Sequence, residues 1–145
     1  MDDGRVLVEV LDEREGVSWV VDEVAALVAA HGPEAVVVDG AGQSQTLIAP
    51  LEKAGVPVTR TGPAEMCAAC GELHDAVLEG RLLHMGQGVL DAAVEGAVQR
   101  TLGDAWAWSR RSSRVNVAPL VAATLAHWGT VNLEAEAFVP LVTWA

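Results

Sequence analysis

The sequence predicts an α/β chain, a small parallel sheet lying under helices, and three observations carry that prediction. Short apolar runs alternate with longer amphipathic ones through the first half of the chain, in the order strand, helix, strand, helix, strand, helix. The run at Ala35–Gly42, AVVVDGAG, holds three consecutive β-branched valines. Such a run cannot alternate between a wet and a dry face, so it reads as a short strand buried on both sides. Glycine and proline then punctuate the alternation at Gly32-Pro33, Gly55 and Gly62-Pro63. Strands separated by helices in this way form parallel pairs joined by right-handed crossovers.

Taken in order, Arg5–Leu11 alternates as a strand, with Val6, Val8 and Val10 on one face, and the charged turn Asp12–Gly16 ends it. Ser18 is placed to cap a helix that runs to about His31 with a stripe of Val20, Val24, Leu27 and Val28. Gly32 ends that helix and Pro33 prevents its continuation. After the valine strand, Gln43–Ala54 reads as a helix with Leu47, Ile48 and Leu51 inward, Pro50 kinking it or breaking its first turn. Val56–Thr59 is the next strand. Gly62-Pro63 opens a helix reaching about Gly80, with proline at its first position. Arg81–Gly88 reads as turn and Val89–Arg100 as helix. Trp106 and Trp108 then alternate with alanines, and Arg114–Val117 follows, which suggests a hairpin or strand-like loop with arginines near its tip. Pro119–Trp128 is the last helix, closed by Gly129. The stretch from Thr130 has no clear period and reads as a frayed tail.

The 145 residues suffice for one domain with a core of its own. Hydrophobic residues make up 51 % of the chain, yet no run approaches the ~20 apolar residues of a membrane span. Met1 is followed by Asp2, Asp3 and Gly4, which is not the basic and then apolar start of a signal peptide, so the expected location is cytoplasmic. A net charge of −11 argues against a protein that coats nucleic acid indiscriminately. Four of the nine basic residues, Arg100, Arg110, Arg111 and Arg114, nevertheless cluster where only Asp104 opposes them. Cys67 and Cys70 form a CxxC, but well inside a helix and beside Met66, Leu73 and Val77. A redox pair needs the helix N-terminus to lower a thiol pKa, so these read as core cysteines.

The residue best placed for chemistry is Asp39, a carboxylate at the carboxyl end of a buried strand beside a glycine turn, where open α/β sheets place their ligands. It competes with a plain turn-capping role. His74 and His84 have no metal-spaced partner in sequence and read as packed histidines.

Three stretches carry a resemblance: VVVDGAG at the central strand, HDAVLEGRLLH at His74–His84, and AWAWSRRSSRVNVAPLVAAT, which contains Trp106–Ala123. Together they resemble the nuclease domain of the large terminase subunit of tailed phages, of the actinobacterial phage and prophage type. The resemblance covers most of Gly4–Gly129. It implies a ribonuclease-H-like fold and a metal-dependent endonuclease that cuts concatemeric double-stranded DNA during packaging. In such proteins a separate ATPase domain drives the DNA, and the portal and small terminase subunit are partners. The implied setting is the cytoplasm of a bacterial host cell. The implied chemistry uses two divalent ions, Mg²⁺ or Mn²⁺, which need clustered carboxylates.

Matched residue by residue, Asp39 corresponds to the family's second acid and Asn116 to its third, where the family usually has aspartate. The first acid has no counterpart, because the family's first two strands would precede Met1. The resemblance therefore implies a truncated sheet of about three strands plus a short hairpin, with residues 1–129 as the nuclease-like domain and 130–145 as the tail. Asp104, or less readily Asp75, would have to stand in as a metal ligand. One carboxylate beside a neutral amide binds such an ion only weakly. Arg110, Arg111 and Arg114 would contact DNA phosphates. The truncation also leads to the expectation that Arg5–Leu11 either pairs directly with Ala35–Asp39 or leaves an apolar edge open to self-association. Two other readings stand beside an active nuclease. One is a non-catalytic prophage remnant that binds DNA or a partner. The other is a small domain that binds an anion at Gly40–Ser44, where the full phosphate-loop pattern is missing.

Overall fold

The computed structural model describes residues 5–14, 16–41, 43–109 and 116–133, and within them strand and helix alternate much as the valine runs and glycine stops require. Strand β1 (Val6–Val8) leads to helix α1 (Val20–His31), and β2 (Val37–Asp39) to a 3₁₀ turn at Gln43–Leu47 and helix α2 (Ile48–Lys53). Strand β3 (Thr59–Thr61) precedes helix α3 (Pro63–Leu78), and β4 (Leu82–His84) precedes α4 (Gly88–Gly96). Strands β5 (Val98–Leu102) and β6 (Ala105–Ser109) form a hairpin, and α5 (Ala118–Asn132) is the last element.

The expected mixed α/β class holds, while the pairing differs from the expected sheet. Among the described residues the strands make three two-stranded sheets instead of one sheet of three strands. Strand β2 runs parallel to β3 with Val38 opposite Arg60. Strand β1 neither pairs with β2 nor stays unpaired. It runs parallel to β4, with Leu7 opposite Leu83. The three residues of β4 lie in the stretch read as turn from sequence, too short a run for a period of two to show. Each parallel pair is extended by backbone bonds at its ends, Val6 N–H to Arg81 O at 2.9 Å and Gly40 N–H to Thr61 O at 2.9 Å. Beyond β1, Val10 N–H and C=O are both held by the side-chain amide of Gln87, at 2.7 Å each. That amide does the work of one more residue pair in the ladder.

Helix α5 joins these pieces. Its sequence, APLVAATLAHWGTVN, is apolar on nearly every side, which is the pattern of a helix buried all round. It packs against β1, β2, α3 and α4. Ala123 shares a cluster with Val8 and Leu90, while Val121 and Leu125 share another with Met66 and Cys70. The outer side of β2 is covered separately, Val38 packing with Val20 and Val24 of α1 and with Ile48 and Leu51 of α2. Trp108 ties the hairpin to α5 by donating its indole N–H to Thr124 Oγ1 at 3.1 Å, and that hydroxyl donates onward to Leu120 O at 2.7 Å. Trp106 meets Trp108 edge-on at 4.9 Å between ring centroids. Both tryptophans are thus half-buried anchors of the hairpin.

Several boundaries move. Ser18 does not cap α1, whose first turn follows Trp19 without a side-chain cap. The strand expected at Val56–Thr59 lies at Thr59–Thr61 because Val56 is drawn into the α2 core, its N–H bonded to Leu51 O at 3.0 Å. The helix expected at Val89–Arg100 stops at Gly96, and the following residues become β5. The hairpin therefore turns at Gly103-Asp104, with Leu102 opposite Ala105, and not among the arginines. Glycine with φ +65° at the first turn position suits a two-residue hairpin loop. Val77, read as inward, is 56 % exposed.

Gly129 does not end the last helix, which continues to Asn132. Its role is proximity: a Cβ there would lie 3.0 Å from Val37 Cγ2, so the missing side chain lets α5 close onto β2. Gly129→Val is expected to destabilise the fold by about 1–3 kcal/mol through overpacking. The drop would appear as a lower urea midpoint with an unchanged m-value. A midpoint equal to wild type would show that β2 and α5 do not rely on this contact.

Candidate functional site

Asp39 closes β2 and its position follows from that strand's burial. Val38 is fully buried, so the chain can expose polar atoms only where the strand ends. Asp39 itself is half-buried, and its Oδ1 accepts the Ala41 N–H at 3.0 Å, an Asx turn that redirects the chain. Gly40 permits this exit, since a Cβ there would meet Thr61 O at 3.0 Å and Arg60 Cβ at 3.3 Å. The turn leads into the 3₁₀ segment Gln43–Leu47 and then a helix of six residues. The long helix expected at Gln43–Ala54, whose aligned N–H groups an anion site at Gly40–Ser44 would use, is therefore not formed. Gly42 lies outside the described residues.

Asn116 stands just before α5 and does local work. Its Oδ1 accepts the Ala118 N–H at 3.0 Å, satisfying one of the open donors of the helix start. Its Nδ2 donates to Glu13 Oε1 at 3.0 Å, across 103 positions of sequence. Glu13 is the functional candidate that sequence reasoning missed. It lies in a run of charges, DERE, where nothing distinguishes one carboxylate from its neighbours. The turn is held by Arg14, which pairs with Asp12 at 2.5 Å and stacks its guanidinium 4.9 Å from the centre of the Trp19 ring.

The remaining candidates are dispersed. Asp104 is exposed at the tip of the β5–β6 hairpin. Asp75 sits on the exposed side of α3, 3.9 Å from His74. His74 packs edge-on against Trp106 at 5.8 Å, and His84 Nδ1 accepts the Gly86 N–H at 3.1 Å. Arg110, Arg111 and Arg114 lie outside the described residues.

These donors do not fit a two-metal centre. Among the described residues no three His, Cys, Asp or Glu side chains gather closely enough to hold a metal ion. The one metal-binding atom of Asn116, its carbonyl oxygen, is turned onto a helix N–H, and Asp39 spends one oxygen on its own turn. A divalent ion requires several anionic oxygens to replace its hydration, and this arrangement supplies too few.

Cys70 is buried and unreactive. Both cysteines lie inside α3, Cys70 fully buried and Cys67 half-buried, and both are free thiols. Burial pushes the Cys70 thiol up to about 11, with Asp39 and Cys67 adding to the rise and a hydrogen bond from the Trp108 backbone opposing it. A thiol so protonated is a poor nucleophile.

Compared with protein-family models, with curated proteins and with solved structures, the chain has no match in any of the three. No helix among the described residues is long and apolar enough to cross a membrane.

One buried titratable group escaped the sequence reading. His127 on α5 is 1 % exposed, and neither ring nitrogen has a hydrogen-bond partner among the described residues. Burial lowers its pKa below the usual 6.5, Glu72 pulling it up and Arg81 pushing it further down. The folded chain therefore holds His127 neutral, whereas the unfolded chain takes up a proton at an ordinary pKa. The stability linked to this group is fully present above the unfolded value and is lost as pH falls through it towards the folded one. Between about pH 7.5 and about pH 5.5, wild type is expected to lose more urea stability than His127→Gln. Equal losses in the two proteins would contradict this.

Proposed function

We propose that this chain is a terminase-type nuclease domain of ribonuclease-H-like ancestry that does not cut DNA by itself and keeps a role in binding double-stranded DNA or a packaging partner. The observation that carries the non-cutting half is Asn116: at the place where the resemblance calls for an acid, an amide caps α5 and reaches Glu13. The ancestral half is supported by Asp39 at the end of a buried parallel strand, by the strand–helix alternation before it and after it, and by a final helix packed across two strands. Mg²⁺ or Mn²⁺ would be the ion in an intact relative, and here it would bind weakly. The arginines at 110, 111 and 114 would supply phosphate contacts, and the portal and small terminase subunit are the partners this reading implies.

Self-association belongs to the same reading. Strands β1 and β2 each pair along one edge only among the described residues, and an open edge is a template for another strand.

A second reading keeps the enzyme, with the absent first acid supplied by further sequence or by another chain. Glu13 is the specific observation that favours it, since Asn116→Asp would set two carboxylates within hydrogen-bonding distance of each other. Plasmid nicking in Mn²⁺ separates the readings. Wild type, Asn116→Asp and Asp39→Ala are all expected to leave supercoiled plasmid intact. Nicking by wild type that disappears in Asp39→Ala would establish the enzyme and remove the non-cutting reading.

A further inference from the structure

A cleft of about 560 Å³ opens between α3 and α4. Its floor is apolar and well packed, formed by Leu90 of α4 and Leu120 of α5, both buried, with half-buried Leu82 of β4 beside them. Its two lips are exposed valines: Val77 on α3 is 56 % exposed and Val94 on α4 is 55 % exposed. One wall is acidic. Asp91 and Glu95 are spaced four apart, so they share one face of α4, and among the described residues no lysine or arginine lines the cleft. Neither carboxylate pairs with a base among the described residues.

We propose that this cleft is a docking groove for a basic amphipathic helix of a protein partner. Two helices wall the groove, the geometry in which a third helix lays a row of apolar side chains spaced three and four residues apart. The partner's apolar row would fill the floor and cover both valines, and its lysines or arginines would meet Asp91 and Glu95. A small molecule suits the site less well. Ligand pockets enclose most of their ligand, whereas here the apolar lips themselves stand out in solvent and need an occupant wider than the cavity. Charge disfavours two other occupants. Residues 134–145 carry Glu134 and Glu136 and no base, and a second copy of the chain would bring its own net −11 against the same acidic wall. The groove involves none of Asp39, Asn116 and the arginines at 110, 111 and 114, which carry the chemistry of the nuclease reading, so either proposal can fail without the other.

The test is fluorescence anisotropy of a labelled leucine–lysine peptide built with leucines at helical spacing, titrated with the full chain at physiological salt. Saturable binding is expected. Val77→Asp, a change at an exposed position, should weaken it about tenfold or more, and so should Asp91→Lys combined with Glu95→Lys. Glu52→Lys on α2 should leave it unchanged, as should wild-type titration against competing peptide of neutral composition. A peptide of the same composition with its leucines scattered around the helix should bind about tenfold less tightly. Equal weakening by Glu52→Lys would reduce the binding to general charge attraction and overturn the proposal. So would absence of peptide binding, whether because residues 134–145 fill the groove, seen as binding only by a chain ending at residue 133, or because a second copy does, seen as a dimer broken by Val77→Asp.

Discussion

Everything described here hangs on the close approach of α5 to β2 at Gly129. Two short parallel pairs and a hairpin have little stability alone, since two-stranded units are marginal in water. What they lack in strand pairing they gain from a common support. With no side chain at Gly129, the helix sits so close to β2 that a Cβ there would come within 3.0 Å of Val37 Cγ2. The same helix then reaches Val8 of the other pair through Ala123 and the hairpin through Thr124. Each contact is modest: a buried aliphatic side chain contributes about 1.5–3 kcal/mol and the Trp108–Thr124 hydrogen bond about 1 kcal/mol net. Their value lies in acting on one rigid element. His127, whose imidazole has no hydrogen-bond partner among the described residues, is tolerated on that element at a cost of about 1–3 kcal/mol, because the surrounding packing outweighs it.

The start of α5 also fixes Asn116. A helix start needs its open N–H groups satisfied, and the Asn116 amide oxygen does so for Ala118. Asp39 is tied into its own turn in a comparable way. Both positions therefore serve the backbone first. The strand end is in this respect a structural junction.

The sequence made legible those parts whose signal is local. Three valines and a glycine turn located β2, Gly62-Pro63 opened α3, and its helical position marked Cys70 as a core residue; in each case burial or capping acts within a few residues. It missed β4 because a three-residue strand in LLH shows no period, and it carried α4 into β5 because Gly96 alone does not announce a change of period. It also stopped α5 at Gly129, where glycine serves packing and not termination. At the site, Asp39 and Asn116 were visible as residues, but their hydrogen bonds were not. Glu13 could not be singled out, since its meeting with Asn116 depends on how β1 leaves the sheet. The outward turn of Val77 was hidden for a similar reason: an apolar residue on a helix looks the same whether it faces a core or an open groove.

Hydrogen exchange read by mass spectrometry tests the central role of α5 most directly, because it reports the opening energy of each element separately. The amides of Leu120–Trp128 should be the slowest to exchange in the chain, with β1 and β2 following them and α2 and α4 opening earlier. Rapid exchange of α5 while β1 and β2 remain protected would contradict the account, for it would mean that the strand pairs hold together without the helix they are packed upon.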